Sequence, residues 1–461
     1  MTSSKIGCGL FPKLDSSAFP FEDSLGMNVS IKSSRLENIP TVSSLATATS
    51  LAGNLVRLEW NIPPTNDGSM LNFHDSFFQA SVPVPNLTSN QGISQFASNN
   101  CLANFEAYAG SVLISEPHSG NTYPYQALMK DLLCAKRPCV PSIAVSTTTG
   151  CSNSETENFL EEGNYLPYSL ASGGVTDGLA VGAVAFTKAY CNNQTISISI
   201  RPKDNIFLTS KYWPSNISYK FVLTIALQNF FVENPTPTTI SAGGASISSI
   251  SLLLNRIRLT DECLDAQNRA LLQKPFCYIM PYSKCEQRLI QSGGQSYNIT
   301  SLFSGQSKPD VVCVMFQNPT VLTKGFPIVS CGAMASNTSP DVASLYLKWN
   351  GKPYPDTGVA PPLAQDIRTY RAYVDQCLLE GDDVYLSYSQ WLNQYTVFVV
   401  SLRDDMEKMY GMAPSSEQGS VDLVVSFVAP LANNINLTVV AFTHNKLEIS
   451  ARGLINRIGF E

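Results

Sequence analysis

Among the residue types that can do chemistry, the sharpest local pattern is Gly381-Asp382-Asp383. Two adjacent carboxylates in a hairpin can hold divalent metal ions for nucleotidyl transfer, as in the metal-binding turn of RNA-dependent polymerases. That chemistry also needs further metal ligands and a basic template channel, and neither is visible. A Gly-Asp turn leading into Val384-Tyr385-Leu386 explains the tripeptide without any metal. Asp404-Asp405 reads the same way, as a loop acid pair. Gly173-Gly174-Val175-Thr176-Asp177-Gly178 lacks the Lys-Ser/Thr that completes a phosphate loop. No GxSxG elbow occurs, and His74, His118 and His444 leave few bases for a nucleophile. Carboxylate pairs for sugar hydrolysis stay open, because their spacing is spatial rather than sequential. The expectation is no enzyme: no catalytic, cofactor-binding or metal-binding residue, and no cofactor.

Twelve cysteines are present, but no CxxC, and the nearest pair is Cys134 and Cys139. Zinc would want paired Cys or His at tight spacing. Cys313 lies within the apolar run Val311-Val312-Cys313-Val314-Met315, where a buried free thiol is ordinary. The cysteines read as reduced structural thiols. The first residues lack the continuous apolar core of a signal peptide, and no stretch reaches the ~18 apolar residues of a membrane span. Synthesis in the cytosol is expected, which makes the sequons at Asn28, Asn86, Asn193, Asn216, Asn298, Asn337 and Asn436 chance matches. The net charge of −6 and the scattered 30 Lys and Arg argue against nucleic-acid recognition.

The elements that would carry any site are strands. Val56, Leu58 and Trp60 alternate with Arg57 and Glu59, and Ile196, Ile198 and Ile200 with Ser197 and Ser199. Phe221, Leu223, Ile225 and Leu227 repeat the pattern, as do Leu253, Ile257 and Leu259 between Arg256 and Arg258. Leu423, Val425 and Phe427, then Ile435, Leu437 and Val439, close the chain in the same manner. Period-two patterning marks strands with one buried and one wetter face. Many such strands joined by turn-rich connections mean sandwiches or barrels rather than an α/β fold. Charged residues are only 14% of the 461, against roughly 25% in an average soluble chain. A surface so poor in charge is expected to be covered by partners.

The pattern divides the chain. Residues 1–54, rich in Ser, Thr and Pro, read as an extended N-terminal arm, slightly basic through Lys5, Lys13, Lys32 and Arg35. Residues 55–232 form a first sandwich with a long insertion at about 134–190. The polar segment 233–245 reads as a linker. Residues 246–452 form a second sandwich with a long insertion at about 318–390, and 453–461 a tail. Short helices are expected over Tyr123–Leu133 and Leu363–Leu379, the latter with Ile367, Tyr370, Val374 and Cys377 or Leu378 on one stripe. Both are expected to pack on sandwich edges. The fold class is thus all-β, two consecutive antiparallel β-sandwiches with a few short helices in long loops.

An ordered series of segments adds a resemblance. Leu55 to Val84 gives strand, Ile-Pro-Pro turn, polar loop and strand; Asn100 to Pro117 precedes YPYQALMKDLL; Ile206 to Pro214 leads into Tyr219–Phe231. In the second half, Arg288–Tyr297 precedes SLFSGQSKPDVVCVMFQNP, and Asn350-Gly-Lys-Pro-Tyr-Pro follows a strand. The series ends on Gln418 to Ser450. It resembles the double jelly-roll major capsid proteins (hexon-type) of icosahedral double-stranded DNA viruses, and in look the polinton-like, adintovirus-like and virophage-like hexons. The resemblance spans roughly residues 55–452. It implies two jelly rolls, a homotrimeric capsomer of pseudo-hexagonal outline, neighbouring capsomers, and penton and minor capsid proteins as partners. It also implies a place in the virion, after synthesis in the host cytosol and assembly in the host nucleus or a cytoplasmic factory. The alternative from the residues alone is a glycan-binding or attachment β-sandwich protein, spike- or lectin-like.

Overall fold

The computed structural model describes residues 31–42, 56–83, 92–93, 102–116, 122–134, 143–145, 195–209, 211–225, 232–233, 248–317, 342–354, 367–380, 391, 396–402, 418–450, 453 and 455–458. In the first half the strands are β1 (Ile31–Pro40), β2 (Val56–Ile62), β3 (Ser69–Pro83), β4 (Gly92–Ile93), β5 (Leu102–Ala109) and β6 (Val112–Leu113). They continue as β7 (Ile143–Val145), β8 (Thr195–Ile200), β9 (Trp213–Pro214), β10 (Tyr219–Ile225), β11 (Val232–Glu233) and β12 (Ser249–Leu259). The second half holds β13 (Phe276–Ile290), β14 (Ser296–Ser307), β15 (Val311–Gln317), β16 (Val342–Trp349) and β17 (Lys352–Tyr354). It ends with β18 (Phe398–Ser401), β19 (Gln418–Phe427), β20 (Ile435–Ile449) and β21 (Ile455–Ile458). Four helices are described: α1 (Tyr123–Cys134), α2 (Asn205–Leu208), α3 (Asp261–Gln273) and α4 (Ile367–Glu380). Among the described residues no helix is long and apolar enough to cross a membrane.

The sheets repeat. In the first half one sheet runs β1-β12-β3-β8-β7 and the other β2-β10-β5-β6. In the second half they run β13-β20-β15-β18 and β14-β19-β16-β17. Counting the eight main strands of each roll (β1, β2, β3, β5, β6, β8, β10 and β12; β13 to β20), the first, last, third and sixth make one sheet, and the remaining four the other. All pairings among the described strands are antiparallel, so each half is a two-sheet jelly roll. Two consecutive jelly rolls were the expectation, and the repeat of sheet order bears it out.

The domain limits need three corrections. Residues 31–40 are not part of a free arm: β1 lies along β12 from Ile31↔Leu259 to Pro40↔Ser251 as the first strand of the first roll. Its residues Ser33 to Leu36 are exposed on both faces, so no alternation marked it. Accordingly β12, assigned by sequence to the second sandwich, closes the first. The linker between rolls is then α3, and the Pro- and Gly-containing segment at 233–245 merely precedes the last strand of roll one. Asp261 and Glu262 in the first turn of α3 face the positive end of the helix dipole. Finally, Ile455–Ile458 of the expected tail pairs with β20.

Burial follows the alternation that the sequence displayed. Leu58, Trp60, Phe221, Leu223, Leu423, Val425 and Phe427 are at most 1% exposed. β12 departs from it. A register shift between Leu253 and Asn255 turns Leu252 and Leu254 inward and leaves Leu253 only half-buried. The first core is aromatic, with Phe73 edge-on to Tyr219 and Phe221 (both 5.2 Å) and Phe105 edge-on to Phe207 (5.7 Å). β14 is broken by positive φ at Ser301, Phe303 and Gly305. There the Asp422 Oδ1 accepts the Ser301 N–H (2.9 Å) and Glu286 Oε1 the Phe303 N–H (3.0 Å), satisfying donors that the ladder has lost.

Candidate functional site

The motifs weighed for chemistry, at 173–178, 381–383 and 404–405, lie outside the described residues. Among the described residues no group of three His, Cys, Asp or Glu is placed to hold a metal ion. Cys263, Cys277, Cys285, Cys313 and Cys377 are free thiols, four of them buried. Burial pushes the Cys285 thiol well up, which makes it an inert neutral group.

Among the described residues, buried charge with raised carboxyl pKa values gathers where the rolls meet. After β6 the chain turns inward through Ile114, Ser115 and Glu116, all buried. α1 then runs between the rolls, buried from Tyr123 to Lys130 rather than resting on an edge as expected. Its Leu128, Met129, Leu132 and Leu133 join the core of the second roll, and Tyr123 and Ala127 that of the first. Pro124 sits in the first turn, where its missing N–H costs nothing. From the second roll, the Tyr373 hydroxyl of α4 donates to the Leu132 carbonyl (2.8 Å).

Within this junction Lys130 Nζ donates to both carboxylate oxygens of Glu116 (2.5 and 2.6 Å) and to the Lys203 carbonyl (2.8 Å). Three ammonium protons thus meet three acceptors. The Ser283 hydroxyl of β13 donates to Glu116 Oε2 (2.5 Å). Asp204 caps α2 by accepting the Ile206 N–H (3.2 Å) and, through its other oxygen, accepts the Glu116 N–H (3.0 Å). The Tyr123 hydroxyl accepts the Lys203 N–H (2.9 Å), and the Gln126 side chain donates to the Ser283 carbonyl (3.2 Å). Burial raises the Glu116 carboxyl above its ordinary range against the pull of Lys130. Burial, and then the Glu116 charge, push Asp204 up to about 7.

Perturbed carboxylates often mark active sites. These do not, because Glu116, Lys130 and Asp204 are 1%, 2% and 0% exposed and no substrate can touch them. Their positions, spread over 167 residues between Glu116 and Ser283, gave no sequence motif. The sole hint was a Lys inside the otherwise apolar run Ala127-Leu128-Met129-Lys130. What the arrangement does is weld the rolls. Trp213 of the first roll stacks on Tyr278 of the second (4.1 Å, 10°), and the Tyr278 hydroxyl donates to the Tyr212 carbonyl (2.9 Å).

The outward faces of the two four-stranded sheets differ. On the first roll Arg57 meets Glu59 (2.9 Å) and Glu106 (3.4 Å), Lys220 meets Glu59 (3.3 Å), and the Tyr108 hydroxyl donates to Glu106 (2.9 Å). On the second roll Ser344 pairs with Ser426, and Lys348 lies over Tyr346 (5.7 Å). The first face is a linked lattice of charges; the second pairs two hydroxyls and sets Lys348 beside Tyr346 and, across the strands, opposite Asp422.

No protein-family model matches the chain, and no curated protein does. Solved structures match it along nearly its full length. A crystal structure of VP54 of PBCV-1, fitted into a cryo-EM reconstruction of the virophage Sputnik, superposes with a TM-score of 0.51 at 12% identity, covering 96% of this chain and 100% of that one. A quasi-atomic model of the PBCV-1 virus capsid gives 0.52 at 13% identity, again over 96% and 100%. A cryo-EM structure of the Sputnik virophage gives 0.52 at 12% identity, over 95% and 91%. At such identities the likeness is one of fold, and it extends over nearly the whole chain.

Proposed function

We propose that the chain is a major capsid protein, forming homotrimeric capsomers of pseudo-hexagonal outline that tile the facets of an icosahedral virus shell. The observation that carries this reading is the near-full-length match of the chain, both rolls included, to chains fitted or solved in virus capsids. Two rolls of the same sheet order, welded side by side, give one chain two similar flanks. Three chains about a threefold axis then present six. Cyclic closure brings one surface of each chain against a different surface of its neighbour. The outward faces of the two rolls differ, a linked charge lattice on one and a Ser344–Ser426 pair with Tyr346, Lys348 and Asp422 on the other, which suits such a heterologous contact. The low charge fraction suits large interfaces, on the order of 2,000–5,000 Å² for obligate assemblies.

In this reading the protein is structural rather than catalytic. Its partners are its own copies, neighbouring capsomers, and penton and minor capsid proteins, and its place is the virion after assembly in the host nucleus or a cytoplasmic factory. The test is electron microscopy of purified protein together with sedimentation across a wide concentration range. Trimers of hexagonal outline, or sheets and shells of them, are expected. A folded monomer at all concentrations, or a monomer that binds a glycan array, would overturn the reading in favour of an attachment protein.

A further inference from the structure

The repeat of the two rolls extends to their helices, and there it is incomplete. α1 follows the fifth main strand of roll one, and α4 the fifth of roll two. α1 is buried at every described position because it reaches across to the other roll, lying against β13 and β20. Its Gln126 side chain donates to the Ser283 carbonyl (3.2 Å), and Tyr125 bonds the Gln287 side chain, both on β13. Phe316 packs edge-on to Phe427 of the opposite sheet, so its neighbour Met315 faces outward, in the row Gln287↔Thr438↔Met315. With α1 against β13 and β20 and α4 against β18, Thr438 and Met315 of this outward row are fully buried.

The matching row of roll one is bare. Phe78 packs edge-on to Trp60 of the opposite sheet (4.8 Å), so Phe77 faces outward, in the row Asn38↔Leu253↔Phe77. Leu253 and Phe77 are only half-buried, and Leu36, on the same face of β1 as Asn38, is 57% exposed. α4 also has an open side. Its Tyr373 and Cys377 turn to the Leu132 carbonyl of α1 (2.8 and 3.5 Å). Arg371, Asp375 and Leu378, spaced i, i+4 and i+7, line the other side, where Leu378 is 48% exposed. We propose that the open side of α4 in one copy covers the bare row of β1, β12 and β3 in the next copy, as α1 covers β13 and β20 within the chain. The inference rests on the capsomer reading above and specifies which surfaces meet.

A helix of one copy against a sheet of the next is a heterologous contact, the kind that closes into a ring. Both surfaces can be covered without stranding a charge. On α4, Arg371 and Asp375 answer each other (3.7 Å); beside Leu36, the Ser34 hydroxyl donates to Asn255 Oδ1 (2.8 Å). Leu36, Leu253 and Phe77 then meet Leu378 as an apolar centre within a polar rim. The same contact covers the outward face of β1, an edge strand whose exposed leucine would otherwise invite the wrong partner.

Cross-linking of the full chain tests this. Leu36→Cys and Leu378→Cys are introduced singly and together, treated with a short bismaleimide and resolved on a denaturing gel, beside sedimentation of the untreated parent. The double variant should give covalent dimers and trimers and nothing larger, while each single variant stays at the parent's background. A covalent dimer from Leu36→Cys alone would mean that two β1 edges face each other, and would overturn the proposal. So would a double variant without cross-links when the parent sediments as a trimer, which leaves the capsomer reading standing. A parent that sediments as a monomer would overturn both. Should the double variant fail to fold, Leu378→Asp serves instead. It should speed subunit exchange between tagged and untagged trimers on the order of 10-fold, and an unchanged rate would overturn the proposal.

Discussion

Replacing Phe427 by Ala should be among the most damaging single changes in the second roll. Phe427 is fully buried at the end of β19, edge-on to Tyr297 of β14 (5.9 Å, 70°) and to Phe316 of β15 (5.7 Å, 74°). Since β14 and β15 belong to opposite sheets, the ring fills the space between them. Truncation leaves a cavity costing about 3–5 kcal/mol, and the loss of two edge-to-face partners argues for the upper part of that range. A domain has only ~5–15 kcal/mol in all, so the variant should express poorly and unfold early. Urea unfolding followed by circular dichroism would read the effect as a midpoint about 1–2 M lower at unchanged slope, taking ~3 kcal/mol per M for that slope. The neighbouring Val428 is 59% exposed, so Val428→Ala should stay within about 0.5 kcal/mol of the parent. Equal effects at the two positions, or a larger one at Val428, would mean a strand register slipped by one residue and would refute the assignment of faces.

Three further predictions concern the first roll. Deleting residues 2–30 should leave a folded trimer, whereas deleting 2–42 should abolish it, because β1 covers β12 and its Glu37 is the ion-pair partner of the buried Arg256 (3.0 Å). Glu37→Gln alone, at a carboxylate 36% exposed, should cost about 1 kcal/mol in thermal unfolding, and an unchanged melting temperature would sink the idea that β1 is anchored there. Gly68 holds φ +70°, and a Cβ there would lie 2.5 Å from Leu264 Cδ2 of α3. Gly68→Ala should therefore cost about 1–2 kcal/mol in backbone strain alone, read as a lower melting temperature, and a neutral result would contradict this turn geometry.

Legibility in the sequence followed exposure. Strands with one buried and one wetter face, such as β2, β10 and β19, announced themselves by strict alternation, and so did the class of the fold. β1 did not, since an edge strand carrying Ser33, Ser34 and Arg35 into solvent has no face to hide. Missing it displaced the boundary between rolls by a whole strand, and the Pro- and Gly-containing stretch near 240 supplied a false linker. α1 was recognised as a helix, but its burial on all sides was not, because short apolar helices look alike whether they cap an edge or fill a seam. The Glu116–Lys130–Asp204–Ser283 cluster was invisible for a simpler reason. Its members meet only through the fold, and each taken alone is an ordinary polar residue.

The pairing of first strand with last has a consequence for how the protein is made. Glu37 and Arg256 are 219 positions apart, and β13 likewise waits for β20. A ribosome adds roughly 5–20 residues each second, so β1 is out for roughly 10–40 s before its partner strand exists. Through that interval the nascent first roll shows an open sheet edge and the apolar side of β3, the surfaces most prone to pair with the wrong chain. Neither roll can close in passing during translation of its early strands. Each shuts only when its final strand arrives, so at high expression the demand on chaperones should peak twice, once for each closure.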